Sequence, residues 1–479
     1  MQVLTHESRV VTLKESGVAT ETELASALLK KLAEIVIGGD SVVGIEKDPR
    51  SFISFCYPGI AVDATDFDFS YVVPVGEKAV AAADFSALVN SIPSESARFL
   101  PTAEKITDIY AEIMRDKQLP QVNLTDSEKK QLAAAEALII QEIEVVDDAT
   151  GGIVKVPGDT PLYQKYKEYE SAYYNAAAKL RELQARLNYR GDPESEALWA
   201  LNGENYQAQV QSVFNTWSTL KGKVEQALGT IASLAGRGPE FYWVELLSRF
   251  NKSRLSTAIG ESYHFTKYFP SGFWNESHAK GWTQFTMAHS EVHTINENSQ
   301  MSASIGGGWS GGLWSVSGGG SYAEQKTSME SDTEGLNIDL QLTMVPIRRT
   351  WLDATIFSNR AWRLDPNINN SVYSDGATPA DGKMPAIITG MILAREVSLG
   401  MNMTTERNSS FASQLAIKAS GGFGPFRVKG SFSRNASRTT HDYVMSSAGI
   451  NVPGMQIIGF ICQRIPTCPN PDTSLNWPE

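Results

Sequence analysis

The residues between Glu297 and Glu324 include no charged side chain, and their character alternates from one position to the next. Apolar residues and glycine take the odd positions before Gly311-Gly312 and the even positions after it, with serine and glycine between them. Side chains in a strand alternate between two faces, so each arm has one apolar face. The change of parity across a glycine turn brings both apolar faces to the same side of an antiparallel hairpin. Each arm has about the ten residues that one transmembrane β-strand requires.

A second segment repeats this pattern 112 positions later. Its apolar residues change parity across Gly421-Gly422, and Phe426 and Val428 stand where the first segment has Trp314 and Val316. A repeat at a constant offset indicates a duplicated structural unit. The sequence therefore predicts two long β-hairpins, at about residues 285–330 and 397–440, and the candidate membrane-facing residues are Met301, Ala303, Ile305, Trp309, Trp314, Val316, Phe411, Leu415, Ile417, Phe426 and Val428.

The overall composition excludes several classes of protein. At 479 residues the chain is too long for one typical core, and its 42% apolar and 20% charged residues are typical of globular domains. The net charge of -12 argues against nucleic acid as a partner. No run of eighteen apolar residues occurs, and Met1 to Gly17 lack the apolar centre of a conventional secretory signal peptide. We therefore expect a protein that is cytoplasmic as made, and release by lysis or export by a different route stays open.

Residues 1–158 are predicted to form a mixed, helix-rich domain. Leucines and isoleucines at helical spacing predict an amphipathic helix from Thr20 to Val36, and Pro101 is expected to open a second one. Thr125 and Glu128 form the capping-box pattern that begins a third.

Residues 159–236 are predicted to form a long antiparallel helical hairpin, with arms from Leu162 to Asn188 and from Glu194 to Leu234. From about residue 237 to 479 helical periodicity disappears, and β-branched and aromatic residues alternate. The predicted fold class is therefore α+β: a helix-rich N-terminal half with a long helical hairpin, followed by an antiparallel β-rich domain whose strands include WTQFTMAHSEVHTI, GLNIDLQLTMV, PAIITGMILAREVSLGMNM and MQIIGFICQRI.

Motifs for catalysis are not found in this sequence, so catalytic residues and cofactors are not predicted. A phosphate-binding loop, a serine nucleophile elbow and cysteine pairs with zinc-finger spacing are all missing. His289, Glu291 and His293 would share one face of a strand, but solvated positions near a hairpin base explain them better than a metal site. Cys56 is expected to be a buried thiol, and a short disulfide between Cys462 and Cys468 is left open.

Four of the six histidines precede the first predicted hairpin closely. Imidazole gains its charge between about pH 7 and 5, so a cluster at the hairpin base could sense acidification. The candidate pH-sensing residues are His264, His278, His289 and His293.

The two predicted hairpins resemble those of the β-barrel pore-forming proteins. The perforin-like and gasdermin-like families contribute two hairpins per subunit, and the aerolysin-like families contribute one. The resemblance covers residues 285–330 and 397–440 as a pattern of alternation, without a family signature motif. It implies a toxin-like homo-oligomer that inserts into a lipid membrane, with a receptor that the sequence does not name.

Two other functions are compatible with the same features. Long hairpins rich in glycine and serine also pair edge to edge, so the chain could be a structural protein that builds rings, tubes or shells. A ligand-binding module could use the aromatic residues Trp309, Trp314, Trp351 and Trp362. An enzyme is the least expected class.

Overall fold

A seven-stranded antiparallel sheet lies at the centre of the protein and joins segments that are distant in the sequence. The part of the chain that the structure describes also contains eight α-helices, which confirms the predicted α+β class. The structure is a computed structural model, and it describes residues 21–38, 46–69, 74, 76–95, 98–120, 124–146, 152–190, 193–234, 239–270, 272–274, 281–298, 335–400, 404–406, 409, 422–434, 437–446 and 449–478.

The helices among these residues are α1 (Glu21–Ile37), α2 (Glu77–Val89), α3 (Ile106–Asp116), α4 (Asp126–Ile139), α5 (Pro161–Arg190), α6 (Pro193–Leu234), α7 (Pro239–Lys252) and α8 (Val292–Asn298). Short 3-10 helices are formed by Ala64–Phe67, His289–Glu291 and Ala354–Phe357.

The strands are β1 (Ser51–Val62), β2 (Ser91–Pro93), β3 (Pro101–Lys105), β4 (Lys117–Gln118), β5 (Ile140–Val146), β6 (Ile153–Asp159), β7 (Arg254–Ser256), β8 (Ser262–His264), β9 (Lys267–Tyr268), β10 (Thr283–Met287), β11 (Ile338–Arg348), β12 (Arg363–Leu364), β13 (Ala386–Leu399), β14 (Gly422–Phe423), β15 (Phe426–Arg427), β16 (Lys429–Arg434), β17 (Ser437–Asp442), β18 (Val444–Ser446) and β19 (Gly449–Arg464).

The central sheet has the strand order β1–β19–β13–β11–β10, with β18 also paired to β19 and β9 also paired to β11. All of these pairs are antiparallel. Strand β1 belongs to the predicted first domain and its partner β19 to the predicted third, so one sheet includes both segments. The division at residues 158 and 236 stays a prediction.

Both faces of the central sheet are covered, which explains why β13 and β19 are apolar almost without interruption. On one face, Leu340 and Ile392 belong to a core that includes the apolar side of α1. On the opposite face, Met391 and Phe460 belong to a core with α2 and with edge-to-face aromatic rings such as Phe67.

Helices α5 and α6 occupy the segment predicted as a helical hairpin, and they pack against each other. At about 1.5 Å per residue their lengths are about 45 Å and about 63 Å. Tyr173 of α5 stacks on Trp217 of α6 with ring centroids 5.2 Å apart, and both rings are buried. The aromatic residues of this hairpin therefore serve its packing.

Several predictions of local structure are confirmed. The periodic segment after Thr20 is helix α1, and the apolar stripe that includes Ile106 and Ile113 lies on helix α3. Pro101 does not open that helix, because Pro101–Lys105 pair with β2 as strand β3 and α3 begins at Ile106. At the start of α4, the hydroxyl of Thr125 accepts from the backbone N–H of Glu128, and the Glu128 carboxylate accepts from the backbone N–H of Thr125 at 2.9 Å. Cys56 is a buried thiol, as expected.

Two further expectations differ from the structure. The strand predicted through residue 295 ends at Met287, and a 3-10 turn and helix α8 follow, because Val292 and Ile295 are both completely buried at a helical spacing. His289, Glu291 and His293 therefore do not share a strand face. The disulfide that was left open is not formed, since Cys462 and Cys468 are both free and buried.

Candidate functional site

Four strands of the central sheet end at the same level, and two long segments of the chain leave the sheet there. Met287 of β10 pairs with Ile338 of β11, Ile338 also pairs with Leu399 of β13, and Leu399 pairs with Ile450 of β19. We call residues 288–337 the first insert and residues 400–449 the second insert; both are 50 residues long. The alternating stretch of each predicted hairpin lies within one insert.

The offset of the sequence repeat reappears in the sheet. Met287 and Leu399, where the chain leaves the sheet, are 112 positions apart, and so are Ile338 and Ile450, where it returns. Each insert therefore connects two adjacent antiparallel strands at the same end of the sheet. The first insert lies between β10 and β11, and the second lies between β13 and β19. This supports the interpretation of the repeat as a duplicated unit.

The second insert contains a short hairpin with a notable register. β14 and β15 pair Gly422 with Arg427 and Phe423 with Phe426 around Gly424-Pro425, and Gly424 has a positive φ of 55°. We call the place where the two ends of an insert join the sheet its root. At the root of the second insert, β13 and β19 pair residue for residue from Val397↔Val452 to Leu399↔Ile450. Continuing that register one residue at a time along both chains leads to the same two pairs, Gly422↔Arg427 and Phe423↔Phe426.

The chain thus reverses at Gly424-Pro425, three residues beyond the predicted Gly421-Gly422 turn. Glycine with a positive φ at the first position of a two-residue loop is typical of hairpin turns. The remaining described part of the insert makes different pairs: β16 pairs with β17, and β18 folds back on β19.

Glycine is required at the root of the second insert. Gly400 and Gly449 have φ values of 86° and 123°. A Cβ atom on Gly449 would lie 2.4 Å from the carbonyl oxygen of Leu399. The two chains can therefore approach this closely only because Gly449 has no side chain.

Helix α1 is tied to the root of the first insert by a buried ion pair. Lys31 Nζ lies 2.6 Å from Glu291 Oε2, and both side chains are completely buried. The same ammonium donates to the carbonyl oxygen of Thr286 at 2.6 Å and lies 5.6 Å from the ring centroid of Phe285. Because a buried charge without its partner is costly, this pair fixes α1 against the residues that begin the first insert.

Two further contacts hold α1 in place. Arg181 of α5 is buried and donates from Nε to the carbonyl oxygen of Ile35 at 3.0 Å, near the C-terminus of α1, where carbonyls lack helical partners. The apolar side of α1 belongs to the same core as Phe423, Phe426 and Val428 of the second insert, all three completely buried. One core thus includes α1 and residues of both inserts.

The structure locates only part of the predicted membrane-facing set. Phe426 and Val428 lie in the core described above. The other members lie outside the described residues, and their role stays a prediction: Met301, Ala303, Ile305, Trp309, Trp314, Val316, Phe411, Leu415 and Ile417.

The four candidate pH-sensing histidines have different surroundings, and His278 lies outside the described residues. His264 stacks on Phe250 with ring centroids 3.8 Å apart, and burial lowers its pKa to about 4. His289 begins the 3-10 turn at the root of the first insert, where its Nε2 atom is buried. His293 is 82% exposed, with Nε2 3.1 Å from a carboxylate oxygen of Glu297. Of the three candidates that the structure describes, His289 and His293 lie at the insert root and His264 does not.

The described residues include no group of three or more histidine, cysteine, aspartate or glutamate side chains that could hold a metal ion. Among the same residues, no helix has both the length and the apolar character to cross a membrane.

Comparisons with protein-family models, with curated proteins and with solved structures find no match.

Sequence reasoning did not identify Lys31 and Glu291 as partners, although the sequence contains a signal for one of them. Lys31 follows Leu24 by seven positions and Leu28 by three, so it lies on the apolar side of α1. A lysine at such a position indicates a buried partner. Glu291 gave no such signal, because its segment was interpreted as a strand.

We predict that replacing Lys31 with Met lowers the free energy of unfolding by about 3–5 kcal/mol, because Glu291 stays buried without its cation. Adding Glu291→Leu should recover most of this loss. The matched control is Lys78→Met, whose partner Asp68 lies 2.8 Å away but whose pair is about half exposed; here the expected loss is about 0–1 kcal/mol. Urea unfolding measures all four proteins. Equal losses for the Lys31 and Lys78 variants would contradict the role of the buried pair.

His264 should make the protein less stable in acid. Its pKa of about 4 lies below the value of about 6.5 for an unfolded histidine, so the folded form prefers the neutral ring. The resulting stability is fully present above about pH 6.5 and is lost as the pH falls toward about 4. His264→Phe keeps a ring against Phe250 and should flatten urea midpoints measured across this range, whereas His293→Gln should not. An unchanged pH dependence in the His264 variant would refute this assignment.

Proposed function

We propose that this protein is an oligomerising membrane-perturbing protein that inserts two amphipathic β-hairpins, one from each insert. The observation that carries the proposal is the common origin of the inserts: both leave the same end of one sheet, between adjacent antiparallel strands, at the offset of the sequence repeat. A hairpin that grows from such a pair extends a ladder whose register already exists.

The register of β10 and β11 agrees with the alternation in the first insert. The two strands pair without a bulge from Thr283↔Leu342 to Met287↔Ile338. Continuing this ladder requires the 3-10 turn and helix α8 to unwind; it then places its turn at Gly312-Leu313 and pairs Trp309 with Val316. Paired residues of an antiparallel ladder share a face, so apolar residues at odd positions of one arm and even positions of the other form one apolar side.

The second insert gives the same agreement when the β13–β19 ladder is continued. Ile417 then pairs with Phe432, on the face that also includes Phe426 and Val428, and the turn falls at Gly424-Pro425. The cations Lys418, Arg427 and Lys429 fall on the opposite face, where a water-filled lumen tolerates charge.

The lengths of the charge-free apolar faces fit a bilayer. In the first ladder the face is interrupted at Glu324, about eleven residues from the turn, and in the second at Arg434, about nine residues from it; a transmembrane β-strand needs about 9–11. Backbone groups in lipid must all be paired, so hairpins from several subunits have to join. The partners in this proposal are therefore further copies of the chain and a lipid membrane, and no catalytic step is involved.

A test compares the two faces of the first hairpin by dye release from liposomes. Ile305→Lys and Val316→Asp should abolish release, because a cation on the lipid face costs about 2–4 kcal/mol at the bilayer midplane and an acidic residue somewhat less. The matched variants Ser304→Lys and Ser315→Lys, one position away on the opposite face, should still release dye but change ion selectivity. Thermal unfolding without lipid checks that all four variants fold.

Two results would oppose the proposal. Equal loss of release from both faces would contradict the assignment of a lipid side and a lumen side. Regular rings, tubes or shells in electron micrographs without lipid, together with intact liposomes, would instead favour a structural protein that assembles through β-edges.

A further inference from the structure

We infer that the second insert is folded with the tip of its inserted hairpin already formed, and that insertion exchanges the β16–β17 and β18–β19 pairs for a continuous β13–β19 ladder. This inference rests on the proposed function and specifies the rearrangement that it requires. We call the arrangement with β16–β17 and β18–β19 paired the folded-back form.

The tip is identified by its register. β14 and β15 make the two pairs, Gly422↔Arg427 and Phe423↔Phe426, that a bulge-free extension of β13 and β19 would make at its far end. A shift of one residue in either chain would break this agreement and would also exchange the two faces. The turn at Gly424-Pro425 can therefore stay intact while the rest of the insert changes partners.

The pairs of β16 and β17 cannot persist in the extended ladder. In the folded-back form, Ser431 pairs with Thr440 and Phe432 with Thr439, because the chain reverses between β16 and β17. In the extended ladder both strands lie on one arm, and Ser431 faces Lys418 instead. The reversal must straighten, so the two sets of pairs exclude each other.

Strand β18 has to move for the same reason. Val444 and Met445 pair with Asn451 and Ile450, which places β18 on the edge of β19 opposite to β13. The two side chains are 59% and 50% exposed, so leaving this edge costs little apolar burial. Straightening at both reversals would join residues 426–464 into one long strand.

The tip itself is firmly held in the folded-back form. The backbone N–H of Arg427 donates to Gln456 Oε1 at 2.7 Å, and Arg427 Nε donates to the carbonyl oxygen of Gly59 at 2.9 Å. Gln456 is completely buried, as are Phe423 and Phe426. Rearrangement therefore has two parts: release of a preformed tip from the core, and exchange of strand pairs behind it.

Engineered disulfides between paired strands can test the exchange of strand pairs separately from the release of the tip. Two double variants link β16 to β17 at successive residue pairs: Ser431→Cys/Thr440→Cys and Phe432→Cys/Thr439→Cys. Two are used because hydrogen-bonded and non-hydrogen-bonded pairs alternate, and the non-hydrogen-bonded pair has the closer spacing. The control, Gly422→Cys/Arg427→Cys, links positions that face each other in both forms. A third variant, Lys418→Cys/Ser431→Cys, pairs only in the extended ladder. The native cysteines are all buried.

The readouts are disulfide formation and dye release from vesicles of phosphatidylcholine, phosphatidylserine and cholesterol. The oxidised β16–β17 cross-link should lower the rate of release by about tenfold or more, since a disulfide strongly favours the form that contains it, and a reductant should restore the rate. The control variant should release dye at the same rate whether it is oxidised or reduced. The Lys418→Cys/Ser431→Cys pair should oxidise only after vesicles are added.

Undiminished release from the cross-linked β16–β17 variants would overturn the inference, and so would an equally strong block by the control. Failure of both β16–β17 pairs to oxidise would contradict the folded-back form. The proposed function is judged separately. If the wild type releases dye but vesicles do not cause the Lys418→Cys/Ser431→Cys pair to oxidise, only the rearrangement is refuted. Vesicle-dependent oxidation without any release refutes the pore alone.

Discussion

The register of the antiparallel sheet is the constraint on which the two inserts depend. β10 and β11 pair without a bulge up to the point where the chain leaves the sheet, and β13 and β19 do so over their last three pairs, from Val397↔Val452 to Leu399↔Ile450. Any hairpin that continues these strands inherits their register, so the faces of its side chains are decided inside the folded core. Gly449, which permits the close approach to Leu399, preserves that geometry at the root.

Helix α1 adds a second condition, which concerns charge. Lys31 and Glu291 are both completely buried, and such a pair contributes less to stability than apolar residues of the same size would. Its effect is on specificity, because this placement of α1 brings the two buried charges within 2.6 Å of each other. The ion pair therefore defines where α1 lies relative to the root of the first insert, and Arg181 fixes the end of the same helix.

Sequence periodicity predicted α1, α3, α5 and α6 because each buries one side along its own length, and such a pattern is local. The repeat offset also corresponds to the two strand–insert–strand units of the sheet. The end of β10 was missed because His289, Glu291 and His293 occupy alternate positions, as one face of a strand would, and Lys31, the buried partner of Glu291, is 260 positions away. The pairing of β1 with β19 joins residues about 400 positions apart, and no local pattern indicates such a contact.

The proposed rearrangement requires the second insert to suit two environments. Phe426 and Val428 are completely buried against α1 and the sheet, and a lipid-facing position would also remove them from water. Hydrophobic burial has no direction, so it does not distinguish a protein core from a bilayer. Strand pairing is directional, and in the proposed rearrangement the residues behind the tip exchange the partners of the folded-back form for those of the extended ladder. The proposed balance between the two forms therefore depends on backbone pairs and on the charges of Arg434 and Arg438, which would limit how deep the apolar face can reach.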